Sequence, residues 1–180
     1  MSQSSGMETS LFYPVSTHLP QLVSPRRESR ATFDRLMSIE WSSFGQGSML
    51  IKTGALWLHG FLSECHELAQ AIPTVEGSYW HALMHRSEPD FGNSKYWYRQ
   101  VGNHSIFSDL KRGLEKFEIV NDESRKAIEK LSCQPGWDPF GFVDLVERAA
   151  SRQFSDSGLL QRIAQLEYNL LMKFCLDHCH

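Results

Sequence analysis

Between Ser48 and Ala71, apolar residues recur at intervals of three or four, which places them on one face of an α-helix. The pattern stops at Pro73, because proline cannot continue a helix. No stretch of the chain alternates apolar and polar residues over a useful strand length. At 180 residues the chain is most simply one domain. We therefore predict an all-α fold, a single-domain helical bundle of six to eight helices over residues 25–180.

Capping residues and prolines indicate where the other helices begin and end. Ser24 followed by Pro25 is a typical helix start. Pro89 ends a helix, because the residue before a proline is pushed out of the α region. We expect Asn93 or Ser94 to cap the helix that follows. The predicted helices cover about residues 25–38, 48–71, 76–86, 94–101, 105–117, 123–131 and 138–153, and the last begins near residue 157.

Residues 1–24 lack helical periodicity and are rich in serine, threonine and proline, so we expect a flexible N-terminal tail. This segment has neither the early positive charge nor the apolar stretch of a signal peptide. No apolar run approaches the roughly 20 residues that a membrane helix needs. We therefore expect a cytoplasmic protein without a membrane partner.

Charge and cysteine content exclude further classes of protein. The net charge is −3, whereas a nucleic-acid-binding protein carries a basic surplus, so no nucleic-acid partner is expected. The four cysteines lack the spacing of a disulfide framework and are expected to be reduced. Cys175 and Cys179 lie one helical turn apart beside His178 and His180. Because the end of a terminal helix frays, we do not interpret this group as a metal site.

Four of the eight histidines lie close together in the sequence at helical spacing. His59 and His66 are seven residues apart, which is two turns of the predicted helix 48–71. His81 and His85 are four residues apart, which is one turn of the next helix. If the two helices pack side by side, the imidazoles face one another. We therefore predict a site in which His66, His81 and His85 are catalytic and His59 assists.

Such a site allows two kinds of chemistry. Neutral imidazoles bind zinc, iron, copper or nickel, so His59, His66, His81 and His85 form a candidate site for a divalent transition metal. Without a metal, paired imidazoles act as acid and base near pH 7, because their unperturbed pKa lies close to that value. The structural alternative is that some of these histidines, above all His59, are hydrogen-bonded core residues. The sequence leaves the choice of cofactor open.

Basic and aromatic residues follow the second histidine pair. Arg86, Lys95 and Arg99 are close in sequence, and the last two share one face of a short helix. We predict that these cations bind a small anionic or polar molecule. The alternative is that the nearby carboxylates of Glu88 and Asp90 neutralise them in surface ion pairs. The predicted substrate contacts are Ser78, Arg86, Asn93, Lys95 and Arg99.

Three stretches of the sequence are distinctive: LWLHGFLSECHELAQ, GSYWHALMHRSEPDFGNSKYWYRQVG and WDPFGFVDL. In these stretches the chain resembles a family of uncharacterised microbial proteins. The resemblance covers roughly residues 50–175 and leaves out the N-terminal tail. The resemblance implies no activity, cofactor or partner. It implies that one shared unit contains His66, His81, His85, Arg86, Glu88, Asp90, Asn93, Lys95 and Arg99.

The histidines and cations together favour a small-molecule enzyme of the hydrolase, lyase or isomerase type. Each of these reactions needs a base with a pKa near 7 and a group that stabilises developing negative charge. The chain has no dinucleotide fingerprint, P-loop or nucleophile elbow, which disfavours nicotinamide redox chemistry, phosphoryl transfer and serine hydrolysis. The main alternative is a non-catalytic helical module that binds a ligand or protein and has structural histidines. A metal-storage or metal-delivery protein is a third possibility, and the oligomeric state stays open.

Overall fold

The structure, a computed structural model, describes Phe12, residues 20–133 and residues 135–178. This part of the chain contains nine α-helices and no strand, which confirms the predicted all-α helical fold. A 3₁₀ segment over Trp41–Gly47 connects the first helix to the second. The helices are α1 (Arg30–Met37), α2 (Ser48–Leu58), α3 (Leu62–Ala71), α4 (Val75–Ser87), α5 (Phe91–Val101), α6 (Ile106–Leu114), α7 (Asp122–Ser132), α8 (Pro139–Ala150) and α9 (Ser157–His178).

The single long helix predicted over residues 48–71 is wrong, because the chain forms two helices, α2 and α3, with a turn at residues 59–61. Gly60 in this turn has a φ of +72°, a left-handed conformation that residues with a side chain rarely adopt. A Cβ at this position would also lie 2.7 Å from the carbonyl oxygen of Arg26. The break accounts for a helix count above the expected six to eight, and it takes His59 and His66 off a common helix.

The first helix begins later than predicted. α1 starts at Arg30 and not near Pro25. Its N-cap is Ser29, whose hydroxyl accepts a hydrogen bond from the Thr32 N–H at 3.2 Å. Residues 20–29 before it are not helical.

Two further helix starts test the predicted caps. α5 is capped by Asp90, whose Oδ1 accepts a hydrogen bond from the Asn93 N–H at 3.2 Å, and not by Asn93 or Ser94 as expected. The predicted start of α8 is confirmed: Oδ1 of Asp138 accepts from the Gly141 N–H at 2.9 Å. Aspartate serves equally well at both positions, because its carboxylate satisfies a backbone donor that the first turn of a helix leaves free.

Large aromatic side chains join α2, α4 and α9 at the centre of the core. Trp57 stacks on Tyr168 with ring centroids 5.4 Å apart, and Trp80 meets Tyr168 edge-on at 5.6 Å. Gly54 permits this close packing, because a Cβ there would lie 2.6 Å from the Trp80 ring and 2.7 Å from Met172. α4 also packs against α3 and α5. Since ten of its thirteen residues are buried, α4 is an interior helix on which a site can be built.

The predicted tail over residues 1–24 falls largely outside the described residues, as do Cys179 and His180. Within that segment Phe12 is buried, and its carbonyl accepts a hydrogen bond from the Tyr168 hydroxyl at 2.8 Å. The Ser24 N–H donates to the carbonyl of Ser87 at 2.6 Å. Among the described residues, no helix combines the length and the apolar character needed to cross a bilayer.

Candidate metal centre

Three of the four predicted site histidines converge in the structure. His66 comes from α3, whereas His81 and His85 lie one turn apart on α4. The ring centroid of His66 lies 4.7 Å from that of His81 and 5.3 Å from that of His85. The rings of His81 and His85 stack with centroids 4.8 Å apart. One nitrogen from each ring lies within 4.8 Å of the other two, and we refer to these residues as the three-histidine cluster.

The tight turn between α3 and α4 brings the cluster together. Only residues 72–74 separate the two helices, so they are direct neighbours. Thr74 caps α4 by accepting a hydrogen bond from the Gly77 N–H at 3.1 Å. A Cβ at Gly77 would lie 2.2 Å from the carbonyl oxygen of Ile72, so this close approach requires glycine. The Thr74 cap and Gly77 therefore permit the close approach of α4 to the end of α3.

The cluster is buried, and several of its nitrogens lack hydrogen-bond partners. His81 is 2% exposed and His85 is 8% exposed, whereas His66 is half-buried. Among the described residues, neither ring nitrogen of His81 has a partner, and neither does Nδ1 of His85. Buried polar atoms in folded proteins are almost always hydrogen-bonded. Orphaned nitrogens at this position therefore indicate a site for an ion or a ligand.

Burial also sets the protonation state of the cluster. Desolvation, together with repulsion from His85 and His66, lowers the pKa of His81 to about 4. The pKa of His85 is lowered mainly by burial, although the carboxylates of Asp90 and Glu88 oppose the shift. Both imidazoles are therefore neutral at pH 7, which is the form that binds a metal. Such a low pKa makes His81 a weak general base at neutral pH.

Two carboxylates approach His85 from the loop between α4 and α5. Oε2 of Glu88 and Oδ2 of Asp90 each lie 3.8 Å from Nδ1 of His85. Hydrogen bonds from the side chain and backbone of Asn93 lower the pKa of Asp90, so this carboxylate is ionised at neutral pH. Pairing of these carboxylates with the nearby cations is one alternative that the sequence allows, whereas in the structure both lie near the cluster. Their charge stabilises a cation bound there.

Trp97 of α5 covers one face of the cluster. Its ring stacks on that of His81 with centroids 4.0 Å apart and an interplanar angle of 18°. Stacking occupies the face of the imidazole and leaves the nitrogens, which bind in the ring plane, unblocked. Sequence reasoning does not distinguish Trp97 from its aromatic neighbours Tyr96 and Tyr98, because all three follow one another on a single helix.

The structure does not bring His59 into the three-histidine cluster. His59 follows α2 at the Gly60 turn, and its Nδ1 lies 2.9 Å from Oε1 of Glu28. Its carbonyl accepts a hydrogen bond from the Glu28 N–H at 3.1 Å. The predicted placement of His59 among the metal ligands is thus corrected, because it depended on one continuous helix through Gly60.

Arg86 lies in the core and does not face a ligand site. It is 1% exposed, and its Nη2 donates to Oε2 of Glu167 at 2.6 Å. Its Nη1 donates to the Tyr98 hydroxyl at 2.9 Å, and that hydroxyl donates to Oε1 of Glu167 at 2.6 Å. The guanidinium also lies 4.6 Å from the ring centroid of Phe142. Its predicted role in substrate binding is therefore corrected: Arg86 ties α4 to α9.

The other two cations of the predicted anion site also have protein partners. Nζ of Lys95 lies 2.6 Å from Oδ1 of Asp144 on α8. Arg99 is exposed, and its guanidinium lies 5.8 Å from the ring centroid of Phe140. The structure thus does not assemble Arg86, Lys95 and Arg99 into one anion clamp.

The two polar residues predicted to contact substrate make local hydrogen bonds. The Ser78 hydroxyl donates to the carbonyl of Thr74 at 3.0 Å, within the first turn of α4. The Asn93 amide donates to Oδ2 of Asp90 at 2.6 Å. Asn93 therefore acts on the carboxylate that faces His85, and its link to the candidate site is indirect.

Solvent reaches the cluster at the half-buried His66. Four surface cavities elsewhere on the described residues have volumes between 350 and 420 Å³. None of these four is lined by a residue of the cluster. The contact of the cluster with solvent is therefore at His66 and not through one of these cavities.

Comparisons with protein-family models, with curated proteins and with solved structures find no match for this chain. The resemblance of residues 50–175 to a microbial family therefore stays a prediction. Any inference about function rests on the geometry of the three-histidine cluster and its surroundings.

Proposed function

We propose that this protein is a metal-dependent enzyme in which His66, His81 and His85 bind a divalent transition-metal ion. The observation that carries the proposal is the convergence of three imidazoles, of which both ring nitrogens of His81 and Nδ1 of His85 are buried without a partner in the described part of the chain. Imidazole suits zinc, copper, iron and nickel. Zinc is the first candidate, because it commonly takes three histidines and keeps a fourth position open in catalytic sites.

The spacing of the cluster suits such an ion. With Zn–N bonds of about 2.0–2.1 Å, the nitrogens of a tetrahedral site lie about 3.3 Å apart. The nitrogens here lie within 4.8 Å of one another, so each pair has to close by at most about 1.5 Å. Half-buried His66 on α3 is the ligand with the most freedom to make that movement.

The charge of the surroundings also suits a cation. His81 and His85 are neutral at pH 7, so no proton has to be displaced from either ring before a metal binds. The carboxylates of Glu88 and Asp90 add negative charge 3.8 Å from His85. Trp97 shields one side of His81 from water, which strengthens electrostatic interactions within the cluster.

Hydrolysis is the reaction class that this arrangement supports best. A zinc ion with three protein ligands has one position open for water or substrate, and it lowers the pKa of bound water to about 7. The substrate class is a small polar molecule with a carbonyl or phosphoryl oxygen that can occupy that position. Lyase or isomerase chemistry would use the same polarisation of a substrate oxygen.

Elemental analysis of the full-length chain tests the metal. Cys179→Ser and His180→Ala in the background remove C-terminal groups that would bind metal adventitiously. We expect about one equivalent of zinc per chain after reconstitution and dialysis, and loss of that equivalent in the His81→Phe/His85→Phe double variant. His178→Gln, which changes an exposed histidine outside the cluster, is the control and should keep the metal. Absence of bound metal in the parent protein would overturn the proposal and favour a helical binding module with structural histidines.

Cobalt substitution tests whether the centre is open, as an enzyme requires. Tetrahedral Co²⁺ has visible absorption bands that respond to changes of ligand. We expect azide or acetate to shift these bands, because a small anion enters the open position. A spectrum that is insensitive to anions would show a closed, structural metal site, and the enzymatic part of the proposal would fall.

A further inference from the structure

Two carboxylates lie at the same distance from one nitrogen of the cluster, but only one of them is held in place. Oε2 of Glu88 and Oδ2 of Asp90 are each 3.8 Å from Nδ1 of His85. Nδ1 of His85 is buried and has no hydrogen-bond partner among the described residues. The two carboxylates differ in the hydrogen bonds that hold them.

Asp90 is fixed on both of its oxygens and through its backbone. Its Oδ1 accepts from the Asn93 N–H at 3.2 Å, and its Oδ2 accepts from the Asn93 side-chain amide at 2.6 Å. The Asp90 N–H donates to the carbonyl of His85 at 2.9 Å. Asp90 is thus hydrogen-bonded through its backbone to the residue whose ring it faces. Its side chain is held at the N-terminus of α5 because it caps that helix.

Glu88 has no comparable restraint. Its carboxylate makes no hydrogen bond to any residue of the described chain, whereas its exposure (40%) is similar to that of Asp90 (47%), so the hydrogen bonds alone distinguish the two. Restraint comes only from its backbone, whose N–H donates to the carbonyl of Met84 at 3.0 Å. A carboxylate that no hydrogen bond holds contributes charge but does not define the orientation of a neighbouring ring.

We propose, on the basis of the metal centre proposed above, that Asp90 is the positioning residue of that centre. Asp90 accepts the Nδ1 proton of His85, fixes its tautomer and ring orientation, and leaves the lone pair of Nε2 for the ion. A neutral imidazole carries one proton, so a carboxylate at Nδ1 determines which nitrogen can bind a metal. Histidines that bind metals almost always donate their second ring N–H to a carboxylate, a carbonyl or water.

A small movement brings Nδ1 of His85 and Oδ2 of Asp90 to hydrogen-bonding distance. An N–H···O hydrogen bond is about 2.9–3.0 Å long, so the 3.8 Å gap requires a movement of roughly 0.8–0.9 Å. Asp90 is anchored, so the movement belongs to the ring of His85. Binding of an ion at Nε2 pushes the proton onto Nδ1 and favours the same rotation.

Two isosteric substitutions, Asp90→Asn and Glu88→Gln, form a matched pair. Each removes one negative charge at the same distance from the same nitrogen. Asparagine is as good an N-cap as aspartate, so α5 should keep its first turn in Asp90→Asn. Thermal melting of both variants verifies that the fold is retained.

The first readout uses the metal-free protein. Long-range ¹H–¹⁵N correlation spectra report which ring nitrogen of His85 carries the proton. We expect the Nδ1–H tautomer in the parent protein and in Glu88→Gln, and a shift towards Nε2–H in Asp90→Asn. An Nε2–H tautomer in the parent protein, or a shift in Glu88→Gln alone, would overturn the assignment to Asp90.

The second readout is Zn²⁺ affinity, measured by competition with a chromophoric chelator. Loss of a carboxylate that orients a ligand typically weakens metal binding by 10–100-fold, which we expect for Asp90→Asn. We expect less than about a fivefold change for Glu88→Gln, as for other exposed charges. Equal losses in the two variants would refute a positioning role and leave only an effect of net charge.

The design separates failure of this inference from failure of the proposed function. If the parent protein binds no zinc, the metal centre is refuted, and the tautomer spectra still judge the contact between Asp90 and His85. If Asp90→Asn does not fold, Asn93→Ala replaces it, because this variant removes the 2.6 Å bond that anchors Oδ2. We then expect the same tautomer shift with a smaller loss of affinity, and an unchanged tautomer and affinity would contradict the inference.

Discussion

Replacing Glu167 by glutamine tests whether the buried ion pair sets the stability of the helix that carries two of the proposed ligands. Glu167 is fully buried and accepts from Arg86 and from the Tyr98 hydroxyl, each at 2.6 Å. The three side chains come from α9, α4 and α5. Glutamine has the same shape, so the substitution removes the charge and leaves the packing in place.

The expected loss of stability in Glu167→Gln follows from the charge of Arg86, which remains in the core. Arg86 is 1% exposed and keeps its charge in the variant, because an arginine in a protein does not lose its proton. Removing one partner of a buried ion pair typically costs about 3–5 kcal/mol. Glutamine keeps one acceptor oxygen, so we expect the lower end, about 3 kcal/mol. For a chain of this size that corresponds to a melting temperature lower by about 6–12 °C.

Urea denaturation followed by circular dichroism measures the free energy of unfolding. Asp34→Asn is the control, because the Arg30–Asp34 pair is exposed and should contribute less than about 0.5 kcal/mol. The combined variant Arg86→Met/Tyr98→Phe/Glu167→Leu removes the three hydrogen-bonded polar groups together and should recover most of the lost stability. A loss below about 1 kcal/mol in Glu167→Gln would refute our view that an unpaired Arg86 is costly in this core.

Two further predictions concern the cluster and the break in the long helix. In metal-free protein, the pKa of His81 is about 4, below its ordinary value of 6.5. Below pH 6.5 His81 gains a proton in the unfolded chain but stays neutral in the folded chain. The free energy of unfolding is therefore independent of this group above pH 6.5 and falls by about 3 kcal/mol as the pH drops to 4. Denaturation with a chelator present at pH 4–8 should show that this dependence is lost in His81→Phe, and an identical pH profile for the two proteins would contradict it. Gly60→Ala should destabilise by at least about 1–2 kcal/mol, because alanine disfavours a φ of +72°. Gly92→Ala, where a Cβ meets nothing closer than 3.9 Å, should be neutral or slightly stabilising in the same melting experiment.

Local signals predicted the helices well, whereas contacts distant in sequence decided where the prediction failed. Asp138 followed by proline marks the start of α8, because a cap and a fixed φ act within a few residues. Gly102, with a φ of +64°, ends α5 for an equally local reason. The break at Gly60 has a local signal of the same kind, a glycine directly after the helix end, but apolar spacing continues through it from Leu58 to Cys65 and favoured one continuous helix. The contact with the backbone of Arg26 is visible only in three dimensions.

At the candidate site, too, local spacing predicted some residues correctly, whereas contacts distant in sequence decided the others. His81 and His85 share a face of α4 because a spacing of four residues is a property of any helix. His66 joins them, although the continuous helix from which its position was predicted does not exist. Arg86 could not be assigned correctly from sequence, since its partner Glu167 lies 81 residues away. A cation next to a histidine pair has the same local pattern whether it faces a ligand or a buried carboxylate.

The ion pair on α4 also affects how the proposed site would capture a metal. His85 and Arg86 are consecutive, so their side chains leave the helix about 100° apart. One points to the cluster and the other is anchored to α9. The helix that carries two of the three ligands is therefore rigid before an ion arrives. Capture would then immobilise side chains of the cluster, chiefly His66 and the ring of His85, and the conformational entropy lost on binding would be that of a few side chains and not of a folding helix.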